Sequence, residues 1–576
     1  METIRVSDRW PKSIHVVCPR GKDLRRALAE AASDSLDFIV IATGAIKADD
    51  IQDMKAYLGE CVRVLRDGGL LFVQGRPEYL PELGVFLDGK LNFKYWIAIE
   101  SATQRRAAGL PSAHAAILLF SKGNRRFNIK RIRFPHEHCA FCGRTLRDWG
   151  GKSHLMHPEG YAASDVWTDL PREDNYTQIS EPVLDAIMRM LDFHDPAESR
   201  IGSPGYTAVT EPAPSARGLI GPREGITSHR PPRFVANRPV RHGGAPLHSK
   251  HTIELGADLT NVVHCGDAVE VLKRYPDNSI DLAFADPPYN LNKGYSIYKD
   301  GWDEREYVDW CNAWLGEYVR VLKPTGSLYV LNLPRWSMHH AVFLNERLYF
   351  QNWIVWDALS EPRGKLMPAH YGLLFYTKHP TDFTFNYDEV SRLDARCYCL
   401  RSTCIAKRKL SGADDKEPLT DIWWDIHRIK HPRDRDYHPC QLPDALMERI
   451  IRLSSNEGDI VLDALCGAGT TPVAAAKLGR RYAAIDLDES YVGITREKIS
   501  HVERLGYVQR SSTRRPRQAC TKKQLQLELR DLAVELGRLP TPEDVRAMTP
   551  YDPEDFLKVF PTWGKALKAA KLEALG

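Results

Sequence analysis

Residues 279–291 read "SIDLAFADPPYNL", and the point where this run turns from apolar to charged decides how the rest of the chain is read. The first seven residues form a short, nearly continuous apolar run, the pattern of a strand buried on both faces of a parallel sheet. The run ends in Asp286, Pro287, Pro288 and Tyr289. In open α/β sheets, ligands sit beyond the carboxyl ends of strands, where this tetrapeptide falls. Two prolines fix the backbone and remove two N–H donors, so the corner offers acceptor carbonyls, a carboxylate and an aromatic face. The matching ligand is an exocyclic amino group on a planar ring. Its hydrogens would meet Asp286 and the Pro287 carbonyl while Tyr289 stacks on the ring. A plain surface turn is the alternative, since Asp-Pro and Pro-Pro are common loop signals.

A second stretch, "GDIVLDALCGAGTTPVAAAKLGRRYAAIDLD" (458–488), reads as strand, glycine-rich turn, helix and a second strand ending in Asp486. Glycines at 467 and 469 let a backbone approach a ligand closely, and an acid about 20 positions on can take ribose hydroxyls. No lysine follows the glycines, so the spacing does not fit a phosphate-binding loop.

With both stretches in place, the sequence resembles the β-class S-adenosylmethionine-dependent DNA methyltransferases acting on exocyclic amino groups of adenine or cytosine. The resemblance covers about residues 260–502. It is carried by "HCGDAVEVL" (264–272), "DPPYNL" (286–291), "YVRVLKPTGSLYV" (318–330), "HPCQLP" (438–443), "DALCGAGTT" (463–471) and "AAIDLDESY" (483–491), with the tetrapeptide ahead of the glycine loop. It implies a permuted Rossmann-like α/β sheet with S-adenosyl-L-methionine as cofactor and double-stranded DNA as partner. Asp286, Pro287, Pro288 and Tyr289 would form the transfer pocket. Asp463, Cys466, Gly467, Gly469 and Thr470 would shape the cofactor loop, Asp486 would take the ribose hydroxyls and Asp267 would lie near the cofactor's adenine. His438 and Gln441 belong to the segment leading into the cofactor strand. The chain departs from the family pattern at Ala464 and Leu465, where Pro-Phe is usual, and at Leu442, where Lys is usual. Pro439-Cys440 matches the dipeptide of cytosine-C5 enzymes but stands before the cofactor strand, so Cys440 is read as a coincidence. An Asp at the head of the tetrapeptide leans toward adenine N6. Cytosine N4, a DNA-binding protein that has lost catalysis, and an RNA methyltransferase stay open as alternatives.

The remaining sequence arranges itself around this domain. At 576 residues the chain calls for two to four domains. A net charge of +4 makes any nucleic-acid surface local. No apolar run is long enough for a membrane span and the N-terminus has no signal-like stretch, so a cytoplasmic, nucleoid-associated place is expected. Twelve cysteines in so long a chain fit core or metal-binding roles rather than a disulfide framework. Residues 196–250 hold nine prolines and seven arginines without apolar periodicity and read as a linker between a domain at 1–195 and the methyltransferase-like domain at 251–505.

The 1–195 segment repeats the later one. "VLRDGGLLFVQGRP" (64–77) matches "VLKPTGSLYVLNLP" (321–334), "VFLDGKLNFKYWIAIE" (85–100) matches "VFLNERLYFQNWIVWD" (342–357), and "SDVWTDL" (164–170) matches "TDIWWDI" (420–426). A duplicated domain is therefore expected, and chance similarity between two α/β sheets is the alternative. In register, Ala42, Thr43, Gly44 and Ala45 stand where the later copy has Asp286 to Tyr289, so the earlier copy reads as catalytically silent and as an internal pseudo-dimer partner or a DNA-clamping surface. Cys139, Cys142, His154 and His157 have the residue types and spacing of a zinc site, against the reading of two buried thiols and two surface histidines. Cys397, Cys399 and Cys404 occupy a similar place in the later copy. Residues 506–576 read as a basic tether followed by helices, with Leu525, Leu529, Leu532 and Leu536 at helical spacing and Thr541 and Asp552 as caps. This end resembles the repeat attached to homing endonucleases, which implies a small DNA-binding fold. A helical packing hairpin is the alternative. The family resemblance adds an expectation of a restriction-modification or wider defence setting with a cognate protein partner.

Overall fold

The computed structural model describes residue 28 and residues 31–191, 255–291, 301–429, 441–505 and 522–572, apart from 45, 105, 107, 124–128, 147–155, 359–364, 391–392, 400, 413–415, 537, 550, 552 and 571. The expected linker (196–250), the basic tether (506–518), Ala45, His154, His438, Pro439, Cys440 and Asp552 lie outside the described residues. Two compact units emerge: residues 1–254, 272–426 and 452–456 form one, and residues 255–271, 427–451 and 457–576 the other. These units cut across the expected boundaries, because the N-terminal segment shares a unit with 272–426.

The N-terminal segment contributes β1 (Leu36–Ala42), β2 (Leu65–Gly75), β3 (Asn92–Gln104), β4 (Ser112–Ser121), the short pair β5 (Arg133–Phe134) and β6 (Tyr161–Ala162), and β7 (Val166–Trp167). All seven residues of β1 are buried, as its unbroken apolar run requires. Its parallel crossover to β2 passes through the helix Ile51–Val64, which buries Ile51, Met54, Leu58, Cys61 and Val64 at helical spacing. The sheet order is β1-β2-β4-β3-β7.

The later segment supplies β8 (Val262–Cys265), β9 (Ile280–Ala285), β10 (Leu322–Asn332), β11 (Tyr349–Asp357), β12 (His370–Thr377), the pair β13 (Leu393–Asp394) and β14 (Lys416–Glu417), β15 (Ile422–Trp423), β16 (Ile460–Asp463) and β17 (Arg481–Asp486). Within the first unit the order β9-β10-β12-β11-β15 repeats that of the N-terminal sheet. The senses match too: the first and last pairs are parallel and the two between them antiparallel in both sheets. Even the ion pair at the strand entry recurs, Arg66 with Asp37 in one sheet and Lys323 with Asp281 in the other.

The two sheets meet through contacts that have counterparts under exchange of the halves. Trp96 and Trp353 stand at matching positions and stack on each other, with ring centroids 3.7 Å apart and planes 5° from parallel. Asp165 Oδ1 accepts the amides of Ala369 (2.8 Å) and His370 (3.1 Å). Its counterpart Asp421 accepts the amide of Ala113 (2.7 Å) and the hydroxyl of Ser112 (3.0 Å). The backbones add Asp165 N–H to Met367 O (3.0 Å) and Asp421 N–H to Pro111 O (3.2 Å). Burial pushes the Asp165 carboxyl up to about 7, outweighing the two amides that favour its charge.

In the second unit, β16, β17 and β8 are parallel neighbours, and the helix Thr470–Lys477 connects β16 to β17. The C-terminal end has its own core, in which Leu525, Leu529 and Leu532 meet Val545, Phe556, Phe560 and Ala566. Thr541 caps its helix as expected, accepting from the Asp544 amide, and three short helices follow the first where two were expected.

Trp96 is 1% exposed and Trp353 likewise, so truncating either leaves a void between the halves that neither sheet can fill alone. Trp96→Ala should lower stability by about 3–5 kcal/mol in chemical denaturation of the full chain.

Candidate functional site

The tetrapeptide of the opening stretch lies where β9 ends, and its shape is held from several sides. Tyr289 donates its hydroxyl to Asp286 Oδ1 at 2.7 Å. The Pro288 carbonyl accepts from the Tyr307 hydroxyl (2.5 Å), and the Tyr289 carbonyl accepts from Trp336 Nε1 (3.1 Å). Asn332, at the end of the neighbouring strand β10, donates to the Tyr307 hydroxyl at 2.9 Å and so steadies that support. Among the described residues, no hydrogen bond uses the Pro287 carbonyl. Asn290 then takes φ +55°, a left-handed turn that Asn tolerates, and binds Trp302 through both side-chain atoms. Tyr289 is buried and its ring lies 5.7 Å from that of Tyr371. The corner is thus a pre-set acceptor site with a carboxylate at its head. Tyr307, Asn332 and Trp336 escaped the sequence reading because they stand 19 to 47 residues from the partners they hold and belong to no motif.

In the second unit the glycine loop is equally tied down. Asp463, at the end of β16, accepts from the Thr471 hydroxyl (2.5 Å) and the Leu465 amide (3.0 Å). Gly467 donates its amide to Asp486 Oδ2 at 2.8 Å, and Cys466 donates its amide to the Ile485 carbonyl at 3.0 Å. Gly467 and Asp486 are thus joined directly, while Asp463 and Cys466 anchor the two ends of the same turn through Thr471, Leu465 and Ile485. Gly469 has φ +82°, and a Cβ there would lie 2.5 Å from the Thr495 side chain, so both backbone and space demand glycine. Thr470 begins the helix that leaves the loop. Lys498, unmarked by any motif, sits beneath the loop and donates to the Ala468 carbonyl at 2.6 Å. Burial raises Asp463 to about 7 and Asp486 to about 6, against the amide and hydroxyl donors that favour their charged forms. The buried Cys466 thiol is pushed well above its usual range by the same desolvation, so it stays protonated.

Asp267 stands just past β8, the neighbour of β17, and accepts the Glu270 amide at 3.1 Å as the helix Ala268–Leu272 begins. Gln441 precedes the helix Asp444–Ser454 in the same unit, and His438 is outside the described residues. The donor set at the loop suits a nucleoside better than a phosphate. It offers a carboxylate at a strand end and close backbone, while Lys498 is spent on an internal carbonyl.

In the N-terminal sheet, Thr43 is buried at the end of β1 and donates its amide to the Gln74 carbonyl (2.8 Å). Neither a carboxylate nor a ring occupies the described positions 42 to 44. Among the described residues, the expected ligands Cys139 and Cys142 do not gather with His157. His157 Nδ1 accepts the Glu159 amide (3.3 Å), and His157 is not part of the cysteine cluster. Cys139 and Cys142 gather instead with Cys399 and Cys404.

Comparison with known proteins places these observations. A DNA methylase family model matches residues 280–497, and a homing endonuclease associated repeat model matches residues 520–573. The Type II methyltransferase M.BamHI of Bacillus amyloliquefaciens is 36% identical over 233 residues, 38% of this chain and 53% of that protein. The chain therefore spans about half the length of this relative. M.HpaI of Haemophilus parainfluenzae is 35% identical over 41% of this chain and 73% of its own length. The DNA adenine methyltransferase YhdJ of Escherichia coli (strain K12) is 33% identical over 41% of this chain and 81% of its own length. Among solved structures, a DNA modification methylase of Thermus thermophilus, complexed with S-adenosyl-L-methionine, matches at 25% identity. That match covers 42% of this chain and 93% of the other, with a TM-score of 0.30. The chain belongs to the S-adenosylmethionine-dependent DNA amino-methyltransferases and carries a C-terminal homing endonuclease associated repeat.

Proposed function

We propose that the chain methylates the N6 amino group of adenine at specific sites in duplex DNA. The observation that carries this is the corner at the end of β9, where Asp286 and Tyr289 are held together and the carbonyls of Pro288 and Tyr289 are already assigned. The base is flipped from its stack so that its edge can reach this corner. Asp286 and the Pro287 carbonyl accept the two amino hydrogens, which draws lone-pair density onto the nitrogen, and the Asp286 carboxylate steadies the positive charge that develops there. Tyr289 offers its ring to the base. S-adenosyl-L-methionine, when bound, supplies an electrophilic methyl group. Gly467 and Gly469 would admit its nucleoside part, Asp486 would accept from its ribose hydroxyls, and Asp267 would lie by its adenine. The relation to YhdJ, named for adenine, supports adenine over cytosine N4, whose amino group would meet the same acceptors.

The matching strand order of the two sheets supports a duplicated origin, with the N-terminal copy serving as a silent pseudo-dimer partner that binds no cofactor. The C-terminal module adds phosphate contacts through its lysines and helices. A cytoplasmic, nucleoid-associated place and a restriction-modification or defence setting with a cognate protein complete the reading. Among the described residues, no helix is long and apolar enough to cross a membrane.

Sequencing that reports modified bases, on DNA from cells expressing the chain, should show N6-methyladenine at one motif. N4-methylcytosine there would decide for the cytosine reading instead. Asp286→Ala should cut transfer by ~10³-fold while leaving DNA affinity within ~2-fold. Methylation that persists in this variant removes the assigned pocket. Because an ionised Asp486 accepts ribose hydroxyls more strongly than the neutral acid, cofactor affinity should rise as pH climbs through about 6. Calorimetry should show up to ~10-fold weaker binding per pH unit below that point, and Asp486→Asn should flatten the profile. Removing residues 520–576 should weaken DNA binding and lower its salt dependence by about one charge per lost phosphate contact.

A further inference from the structure

Cys139, Cys142, Cys399 and Cys404 place their four Sγ atoms within 4.8 Å of one another. Two come from the N-terminal segment and two from the later one. Cys139 Sγ is 3.8 Å from Cys404 Sγ, and Cys142 Sγ is 3.6 Å from Cys399 Sγ. A tetrahedral ion with metal–sulfur bonds of about 2.3 Å requires sulfur–sulfur edges of roughly 3.8 Å. A disulfide needs about 2.05 Å. The spacing thus fits four ligands around one ion.

The surroundings argue the same way. Both segments are loop-rich, and among the described residues the hydrophobic side chains packed against the buried thiols are Leu146 and Tyr398. Four converging thiols with so little apolar surface make a poor hydrophobic core. The backbone at the first pair forms a tight reversal: Gly143 N–H meets the Cys139 carbonyl at 2.8 Å, and Cys139 N–H meets the Arg144 carbonyl at 2.7 Å. Gly143 has φ +67°, although a Cβ there would touch nothing, so glycine is needed for the turn rather than for room. In the second pair, Cys404 sits in the first turn of the helix Ser402–Ser411 and Cys399 just before it. The two segments are also joined directly, Ala140 N–H to the Cys397 carbonyl at 2.8 Å.

We propose that these four cysteines bind one zinc ion as a structural tetrathiolate that pins the N-terminal segment to the later one. Four protein ligands leave no open position, so the ion has no place for substrate or water and its role is to hold the two loops together. Tetrahedral sulfur coordination with no demand for electron transfer favours zinc among the divalent metals.

The test uses the full chain, expressed with zinc and purified without chelator. Elemental analysis should find one zinc per chain, and Cys142→Ser and Cys399→Ser should each reduce it at least tenfold. His157→Ala and His154→Ala should keep it. Cobalt(II) added to the chelator-stripped wild-type chain should give the visible bands and thiolate charge transfer of a tetrahedral tetrathiolate, a readout that needs no variant to fold. Stripping the ion should lower the unfolding temperature. Absence of both zinc and the cobalt spectrum would overturn the proposal. So would retention of zinc by Cys399→Ser with loss in the histidine variants, which would return the ion to a local site. A Cys139–Cys404 or Cys142–Cys399 disulfide found by mass spectrometry in chain purified under reducing conditions would also overturn it.

Discussion

Two buried carboxylates reach across to the opposite half of the first unit and bind backbone amides there. Asp165 holds Ala369 and His370, and Asp421 holds Ala113. An amide at the start of a strand has no ladder partner on that side, and burying it unpaired costs about 1–3 kcal/mol. Each half therefore satisfies donors that the other cannot. The exchange also fixes where β7 and β15 lie, because each carboxylate is only one residue ahead of its strand. Both carboxylates are buried, as is the indole stack of Trp96 and Trp353, and in such a dry medium hydrogen bonds are strong.

This arrangement explains why the corner at the end of β9 can be stiff. Its outer support, Trp336, lies on the helix Pro334–Asn345, and the same helix is gripped from the N-terminal half. Arg335 binds Asp88 at 3.0 Å, His339 reaches the same carboxylate at 3.2 Å, and a Cβ on Gly84 would collide with Met338. The arginine and histidine hold the Asp88 carboxyl below its ordinary range despite its burial. A displaced helix would carry Trp336 away from the Tyr289 carbonyl. The N-terminal half thus acts on the corner through packing, with none of its described atoms in it.

The parts of the molecule that could be read from sequence were those set by local rules. The apolar run of β9, the paired prolines, Gly469 with its left-handed backbone and the strand ending in Asp486 all announce themselves within a short window. The cysteines did not. Cys139 and Cys142 have histidines a short way downstream at a familiar spacing, yet the structure turns His157 to Glu159 and brings in Cys399 and Cys404, 257 and 265 residues from their nearest partners. Spacing along the chain carries no information about a pairing made between segments this far apart. The same holds for Lys498 and Trp336, whose partners are fixed by tertiary packing and by no motif.

Thr43 marks where the symmetry of the two sheets stops. A true homodimer would offer duplex DNA two equal pockets, one to each strand, and would favour sequences that read alike in both directions. Here the strand tip that would serve the second strand is an Ala-Thr-Gly turn closed onto Gln74. Under the reading proposed above, one encounter modifies one strand. The two unlike faces are then free to read a site without palindromic symmetry, and the complementary strand waits for a separate event.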